Sequence, residues 1–314
     1  MIKIKLECWW TNSPSLNKRV ITQFVDDVDL LEFEFVDQNP DYTIVFGRTD
    51  WDNLETKKEN TFYISQEPLW SPNQHNIGLH NYCSKILISD KTKFPNREEY
   101  IEDLLPMFYA GSGESDSREE WSWNRQIKNK TYNKENSISM IVRNCVVTHQ
   151  FHNELSDGKT SRIIYGDRVN LAHKLVESGN VDIFGFHWTP DNNRIKGGIF
   201  NKHLGLDSYR FSIACENTIQ KNYISEKFWD VILTDTVPIY LGCNNINEHI
   251  PDNTFINLNN LSIDEMVLKI NEIINDDINQ YNNYIDNIKK LKQEFFINPK
   301  YNLWEKIKQL INYD

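Results

Sequence analysis

Residues Tyr209–Gly242, YRFSIACENTIQKNYISEKFWDVILTDTVPIYLG, decide how this chain is read. Arg210–Cys215 is short and rich in apolar residues, which suits a buried strand. Glu216, Asn217 and Thr218 follow at the strand's end, where α/β folds place their ligands. A polar loop then leads to Ser225, a favourable helix N-cap. Beyond it Phe228, Val231 and Ile232 recur at helical spacing. Thr236–Leu241, containing Pro238, is the next strand, and Gly242 ends it. The loop and the helix start offer two carboxylates, an amide, a phenol and a lysine. Backbone N–H groups at a helix start favour an anion. Lys227, in the first turn, opposes the helix dipole unless it faces a bound phosphate. The stretch therefore reads as a pocket for a phosphorylated sugar donor. A surface turn with solvated charges is the plain alternative for any one of these residues.

Outward from this stretch the pattern is α/β. The 314 residues suffice for two domains. Upstream, Ile2, Ile4 and Leu6 alternate with charged residues, so the chain opens in a strand. Leu31–Val36, Tyr42–Phe46, Thr61–Ser65 and Lys85–Ser89 are further strands, and Leu16–Phe24 is a helix candidate. The polar segment Gly111–Asn136 leads to a domain junction. Ser137–Val142 begins the second unit, followed by a helix over Arg162–Glu177 and a strand over Val181–Phe184. Downstream lie a strand over Thr254–Leu258 and helices over Ser262–Ile274, Asn279–Phe296 and Leu303–Ile311.

Composition limits the function. The hydrophobic content of 39% permits packed cores, so disorder is not expected. The formal net charge of −11 argues against nucleic acid as the main partner, because that binding needs a basic surface. Five scattered cysteines without a CxxC pair read as buried free thiols in a reducing compartment. The opening MIKIKLECWW is not a signal peptide pattern. No apolar run is long enough to span a membrane. A cytoplasmic location is the expectation.

The run YRFSIACEN…NYISEKFWDVILTDTVPIYLGC resembles the signature of the α-1,3-fucosyltransferases, glycosyltransferase family 10. That family carries a Y-[KR]-F strand, a Glu-Asn pair, Y-x-T-E-K and an apolar T-x-P-[IV] strand. Ser225 stands where threonine is usual. The likeness continues through Val181–Gly185, Lys202–Leu206, Glu248-His249 and Phe255–Leu258. It implies a GT-B-like fold of two Rossmann-type domains facing across a cleft. An acceptor-binding domain would span residues 1–132, with 298–314 crossing back onto it, and a donor-binding domain residues 133–297. It further implies an inverting enzyme that moves L-fucose from GDP-fucose to a hydroxyl of a glycan acceptor. Another nucleotide sugar, or a non-catalytic carbohydrate-binding protein, are the alternatives.

By the same resemblance Asn217, Tyr223 and Glu226 map onto ribose and base contacts, and Lys227 onto the diphosphate. Glu216 either orients them or touches the sugar. Arg162 matches the family's diphosphate arginine, with Arg168 as its competitor. A planar guanidinium suits a diphosphate because it can donate two hydrogen bonds. Glu67, in F-Y-I-S-Q-E-P, is the candidate general base. A Glu-Pro step at a strand end holds a carboxylate at a cleft edge. These cations replace a metal, so none is strictly required, and manganese or magnesium would at most stimulate. Asp27-Val28-Asp29 has D-x-D spacing but lies in an acidic stretch outside the donor half. His149 and His152 lack further ligands at a telling spacing. At Arg143-Asn144 the family commonly has Ser-Asn; the asparagine is kept and the serine is not. Trp9, Trp10, Trp70, Trp121 and Trp123 read as packing residues or sugar-stacking surfaces.

Overall fold

Two six-stranded sheets, every pairing parallel, carry the chain. They are seen in a computed structural model that describes residues 1–8, 13, 17, 21, 30–47, 49–65, 67–68, 78–104, 129–144, 161–199 and 201–312. The first sheet comprises β1 (Ile2–Glu7), β2 (Phe33–Phe35), β3 (Tyr42–Phe46), β4 (Thr61–Ile64), β5 (Lys85–Ile88) and β6 (Tyr100–Glu102), in the order β2-β1-β3-β4-β5-β6. Parallel sheets are covered on both faces, so their central strands are continuous apolar runs. In β4, Phe62 and Ile64 join one core cluster, while Tyr63 joins Val45 and Ile86 in another.

The second sheet comprises β7 (Asn136–Ile141), β9 (Asp182–Phe184), β10 (Ile195–Gly197), β11 (Tyr209–Cys215), β13 (Val237–Leu241) and β14 (Ile256–Asn257). Its order is β10-β9-β7-β11-β13-β14. Numbered within the sheet, this is the dinucleotide-fold order 3-2-1-4-5-6. The direction of winding reverses between β7 and β11, and a crevice opens there at the carboxyl ends of the strands. Pro238 is tolerated in β13 for a positional reason. Leu258 N–H donates to Tyr240 O, so Tyr240, and by alternation Pro238, turns its backbone toward β14. The pairing of β14 begins only opposite Ile239, so no partner lacks the missing N–H.

A small antiparallel pair, β8 (Ser161–Ile163) with β12 (Thr218–Gln220), departs from the sequence reading. It takes residues 162–163 out of the expected helix, which becomes α1 (Tyr165–Ser178). It also makes a strand of what reads as loop. The other described helices are α2 (His203–Leu206), α3 (Glu226–Leu233), α4 (Ile263–Asn275), α5 (Asp277–Ile297) and α6 (Leu303–Leu310). Ser262 and Glu265 form a reciprocal capping box at the start of α4. The helix candidate at Leu16–Phe24 lies almost wholly outside the described residues.

Helix α6 packs against the first sheet. Trp304 meets Phe33 edge-on at 4.7 Å, Lys85 Nζ donates to Leu310 O at 2.7 Å, and Lys306 pairs with Asp103. The carboxyl edges of the two sheets also touch. Past β12, Gln220 Nε2 donates to Ser89 Oγ at 2.5 Å and Asn222 Nδ2 to Ser89 O at 2.9 Å. Lys221 pairs with Glu102 at the end of β6. Cys83, Cys215 and Cys243 are buried free thiols, and Cys8 is buried as well. No described helix is long and apolar enough to cross a membrane.

Candidate active site

At the carboxyl end of β11 the chain turns through Glu216 and Asn217 into β12, then returns to α3. Glu216 is fully buried. Its Oε1 accepts from Ser225 N–H at 2.7 Å and its Oε2 from Ser225 Oγ at 2.5 Å. Ser225 Oγ in turn accepts from the Lys227 backbone N–H, which caps α3. A glycine follows β13 because Glu216 runs past it. A Cβ on Gly242 would stand 2.4 Å from Glu216 Cγ and 2.5 Å from the Tyr240 hydroxyl. Glu216 therefore fixes the helix start from behind. Of the two roles open to it in the sequence, its geometry is that of an orienting residue.

From this cap a chain of alternating charges runs along α3. Lys227 Nζ lies 3.7 Å from Glu216 Oε2 and 3.0 Å from Glu226 Oε1. Lys202 Nζ lies 3.9 Å from Glu226 Oε1 and 2.5 Å from Asp230 Oδ2. Burial pushes the Glu216 carboxyl up, with Lys227 opposing. Burial would push Glu226 up as well, but Lys227 and Lys202 outweigh it and hold its carboxyl at about 2. Burial works against the charge on Lys227, yet Glu226 and Glu216 leave its ammonium above the ordinary lysine value. Lys202, Glu226, Lys227 and Asp230 line a cavity of about 110 Å³ against β11. Asp230 went unread in the sequence; its signal is the i, i+4 spacing from Glu226 on one helix face.

The two candidate arginines have different fates. Arg162 lies in β8 with its side chain 57% exposed, and Nη1 is 3.1 Å from Asp167 Oδ2. Arg168, in the first turn of α1, is 6% exposed and donates from Nη1 to Asn217 Oδ1 at 2.7 Å. Its Nε is buried without a hydrogen-bond partner. Lys227 feels the charge of Arg168. The structure thus brings Arg168, and not Arg162, to Asn217 and Lys227. Both lie near the start of one helix pattern, and only the β8–β12 pairing separates them.

Tyr223 is 3% exposed and lies in the segment between β12 and α3. Burial pushes its hydroxyl well above the ordinary phenol value, and the carboxylates of Glu216, Glu67 and Glu226 push the same way. Glu67 of the first domain is therefore within electrostatic reach of the β11–α3 loop. Beyond β4, Ser65 Oγ donates to Glu67 O at 2.9 Å and ties the turn that carries Glu67. The side chains brought together are Asn217, Tyr223, Glu226, Lys227 and Arg168, over Glu216, with Glu67 approaching from the other sheet. Among the described residues no three of His, Cys, Asp and Glu converge as metal ligands. Asp27, Asp29, His149, His152, Trp9, Trp10, Trp70, Trp121 and Trp123 lie outside the described residues.

Comparison with known proteins agrees with this geometry. The family profile described as "Glycosyltransferase family 10 (fucosyltransferase) C-term" matches residues 131–307, more than half of the chain. The chain is similar to the α-(1,3)-fucosyltransferase FucT of Helicobacter pylori, 29% identical over 107 residues, which are 34% of this chain and 20% of that protein. It is similar to GDP-fucose protein O-fucosyltransferase 3 of Danio rerio, 32% identical over 95 residues, 28% of this chain and 20% of that one. The matched stretches thus span about a fifth of these relatives' length. A crystal structure of an α1,3-fucosyltransferase with GDP-fucose superimposes with a TM-score of 0.53 at 17% identity, over 90% of this chain and 81% of that one. The fold is accordingly GT-B-like, two Rossmann-type sheets with their carboxyl edges opposed. With the family's profile matched across the whole second sheet and its site, the chain belongs to glycosyltransferase family 10, the fucosyltransferases.

Proposed function

We propose that this protein transfers L-fucose from GDP-fucose to a hydroxyl of a glycan acceptor, with inversion at the anomeric carbon. One observation carries the reading. Lys227 and Arg168 converge on the crevice where the strand order of the second sheet reverses, beside the capped start of α3. Family membership supports it, as does the likeness to relatives whose names include GDP-fucose or α-1,3-fucosyl transfer.

In this reading Lys227 and Arg168 hold the diphosphate, and Glu226, Tyr223 and Asn217 hold the nucleoside. Glu67 takes the proton of the acceptor hydroxyl as its oxygen attacks the anomeric carbon. The bond to the diphosphate oxygen breaks on the opposite face, and GDP leaves against the two cations. That charge stabilisation is usually the largest part of catalysis. The protein's own cations serve in place of a required metal ion. The second-sheet domain binds donor and the first-sheet domain binds acceptor.

Calorimetric titration with GDP, UDP and ADP tests the donor. GDP binding at least tenfold tighter than the other two is expected, and equal or reversed affinities would overturn the choice of GDP-fucose. A glycan array incubated with GDP-fucose and read by mass spectrometry then tests transfer. A mass gain of one fucose on an acceptor supports it. Donor binding without turnover on any acceptor favours a carbohydrate-binding protein that has kept the fold.

A further inference from the structure

The carboxyl end of β7 carries a second feature. The β7–β9 ladder continues past both strands, with Val142 N–H donating to Phe184 O at 2.8 Å and Asn144 N–H to Phe186 O at 3.0 Å. Trp188 Nε1 also donates to Val142 O, at 2.7 Å. Gly185, at φ 146°, lets the two strands close, since a Cβ there would stand 2.0 Å from Val142 O. The result is a braced shelf at the sheet edge. Side chains alternate along extended backbone, so Arg143 follows Ile141 onto one face. Ile141 lines the cavity shared by Lys202, Glu226 and Lys227. Arg143 thus falls on the face of the sheet that bears that cavity, two residues past the first strand of a sheet whose order reverses between β7 and β11. In such folds the turn after the first strand approaches the pyrophosphate.

The guanidinium of Arg143 is exposed, and its Nη2 lies 2.8 Å from His187 Nε2. Guanidinium nitrogens only donate, so His187 accepts, as a neutral ring with its proton on Nδ1. His187 takes a left-handed backbone, φ 67°, which is uncommon for a residue with a Cβ. Among the described residues Arg143 meets no carboxylate, whereas Arg162, Arg194 and Arg210 each pair with an aspartate. The chain carries an excess of acidic groups. In it, an arginine held by a neutral imidazole keeps its full charge for an incoming anion. Resting on the donor-site reading, we propose that Arg143, propped by His187, is a third cation of the nucleotide-sugar site and binds the donor's diphosphate.

Calorimetry with GDP and with guanosine on the full chain tests this. Arg143→Ser should weaken GDP about tenfold, the scale of a charge-assisted hydrogen bond, and leave guanosine unchanged. Arg143→Lys should recover part of the loss. His187→Ala should cost GDP about threefold, because the arm loses its prop, again with guanosine unchanged. Unfolding midpoints equal to wild type would separate these losses from damage to the fold. Unchanged GDP affinity in Arg143→Ser, or an equal loss for guanosine, would overturn the proposal. So would a rise confined to the acceptor's KM. If the wild-type protein prefers another nucleoside diphosphate, the GDP-fucose reading falls. The same comparison run with that nucleotide and its nucleoside still tests Arg143.

Discussion

The carboxyl edges of the two sheets meet, yet they are built in different ways. The edge of the second sheet is a set of interlocked charges over a buried carboxylate. Glu216 holds Ser225, Ser225 caps α3, and Lys227 and Glu226 are paired within the first turn. At the edge of the first sheet the candidate base is a half-buried carboxylate, Glu67, on a turn tied by Ser65. The difference is one of preorganisation. In the proposed donor site a diphosphate would meet charges whose positions are set before it arrives, so no reorganisation is needed on binding. A general base needs one carboxylate and a path for one proton, so a single turn suffices.

This contrast breaks most readily at Glu67. If it is the base, Glu67→Gln should lower kcat by about 10²- to 10⁴-fold and leave GDP affinity unchanged in calorimetry. A variant with normal turnover would remove the first sheet from the chemistry. On the other side, Lys227→Met should weaken GDP by about 30-fold or more, because it removes a largely buried cation from the proposed diphosphate site. Unchanged affinity there would dissolve the diphosphate assignment.

The arginines sharpen the comparison within the second sheet. Arg168→Ala should cost about tenfold in GDP affinity. Arg162→Ala should cost almost nothing, since its exposed pair with Asp167 is worth under about 1 kcal/mol. Equal losses would mean that Arg162 swings into the crevice.

The smallest effect is in stability against pH. Glu226 is ionised in the folded chain down to about 2, against an ordinary value of 4.5. Between those values the unfolded chain binds the proton and the folded chain does not, so stability falls as pH falls. Glu226→Gln should lose this dependence. Its deficit against wild type should be largest above pH 4.5 and shrink as the pH approaches 2, as read from urea unfolding at pH 7, 4 and 2.5. Glu216, whose carboxyl burial raises, acts with the opposite sign, and less so in the variant because the Glu226 charge also raises it.

Much of this was legible in advance, where a signal repeats or is local. Strands such as β1 and β4 announce themselves by alternation or by an apolar run, and α4 by its capping box. The strands β6, β8, β10 and β12 have three residues each, too few for a period to show. The helix start near Arg162 was misplaced for the same reason: β8 exists only through its pairing with β12, more than fifty residues later.

The chain's own order of residues determined the α/β class, the donor-like stretch and the identity of nearly every charged group at its centre. Those follow from periodicity, capping chemistry and a contiguous motif, all local properties of a polypeptide. Tertiary structure alone decided what those groups face. It buried Glu216 behind Gly242 and turned Arg168 rather than Arg162 to Asn217. It joined Lys202 to Asp230, and it set Arg143 against His187 at the switch between β7 and β11. Each of these is a contact between segments distant in the chain. Its energy depends on burial and charge in three dimensions, and no local pattern encodes that.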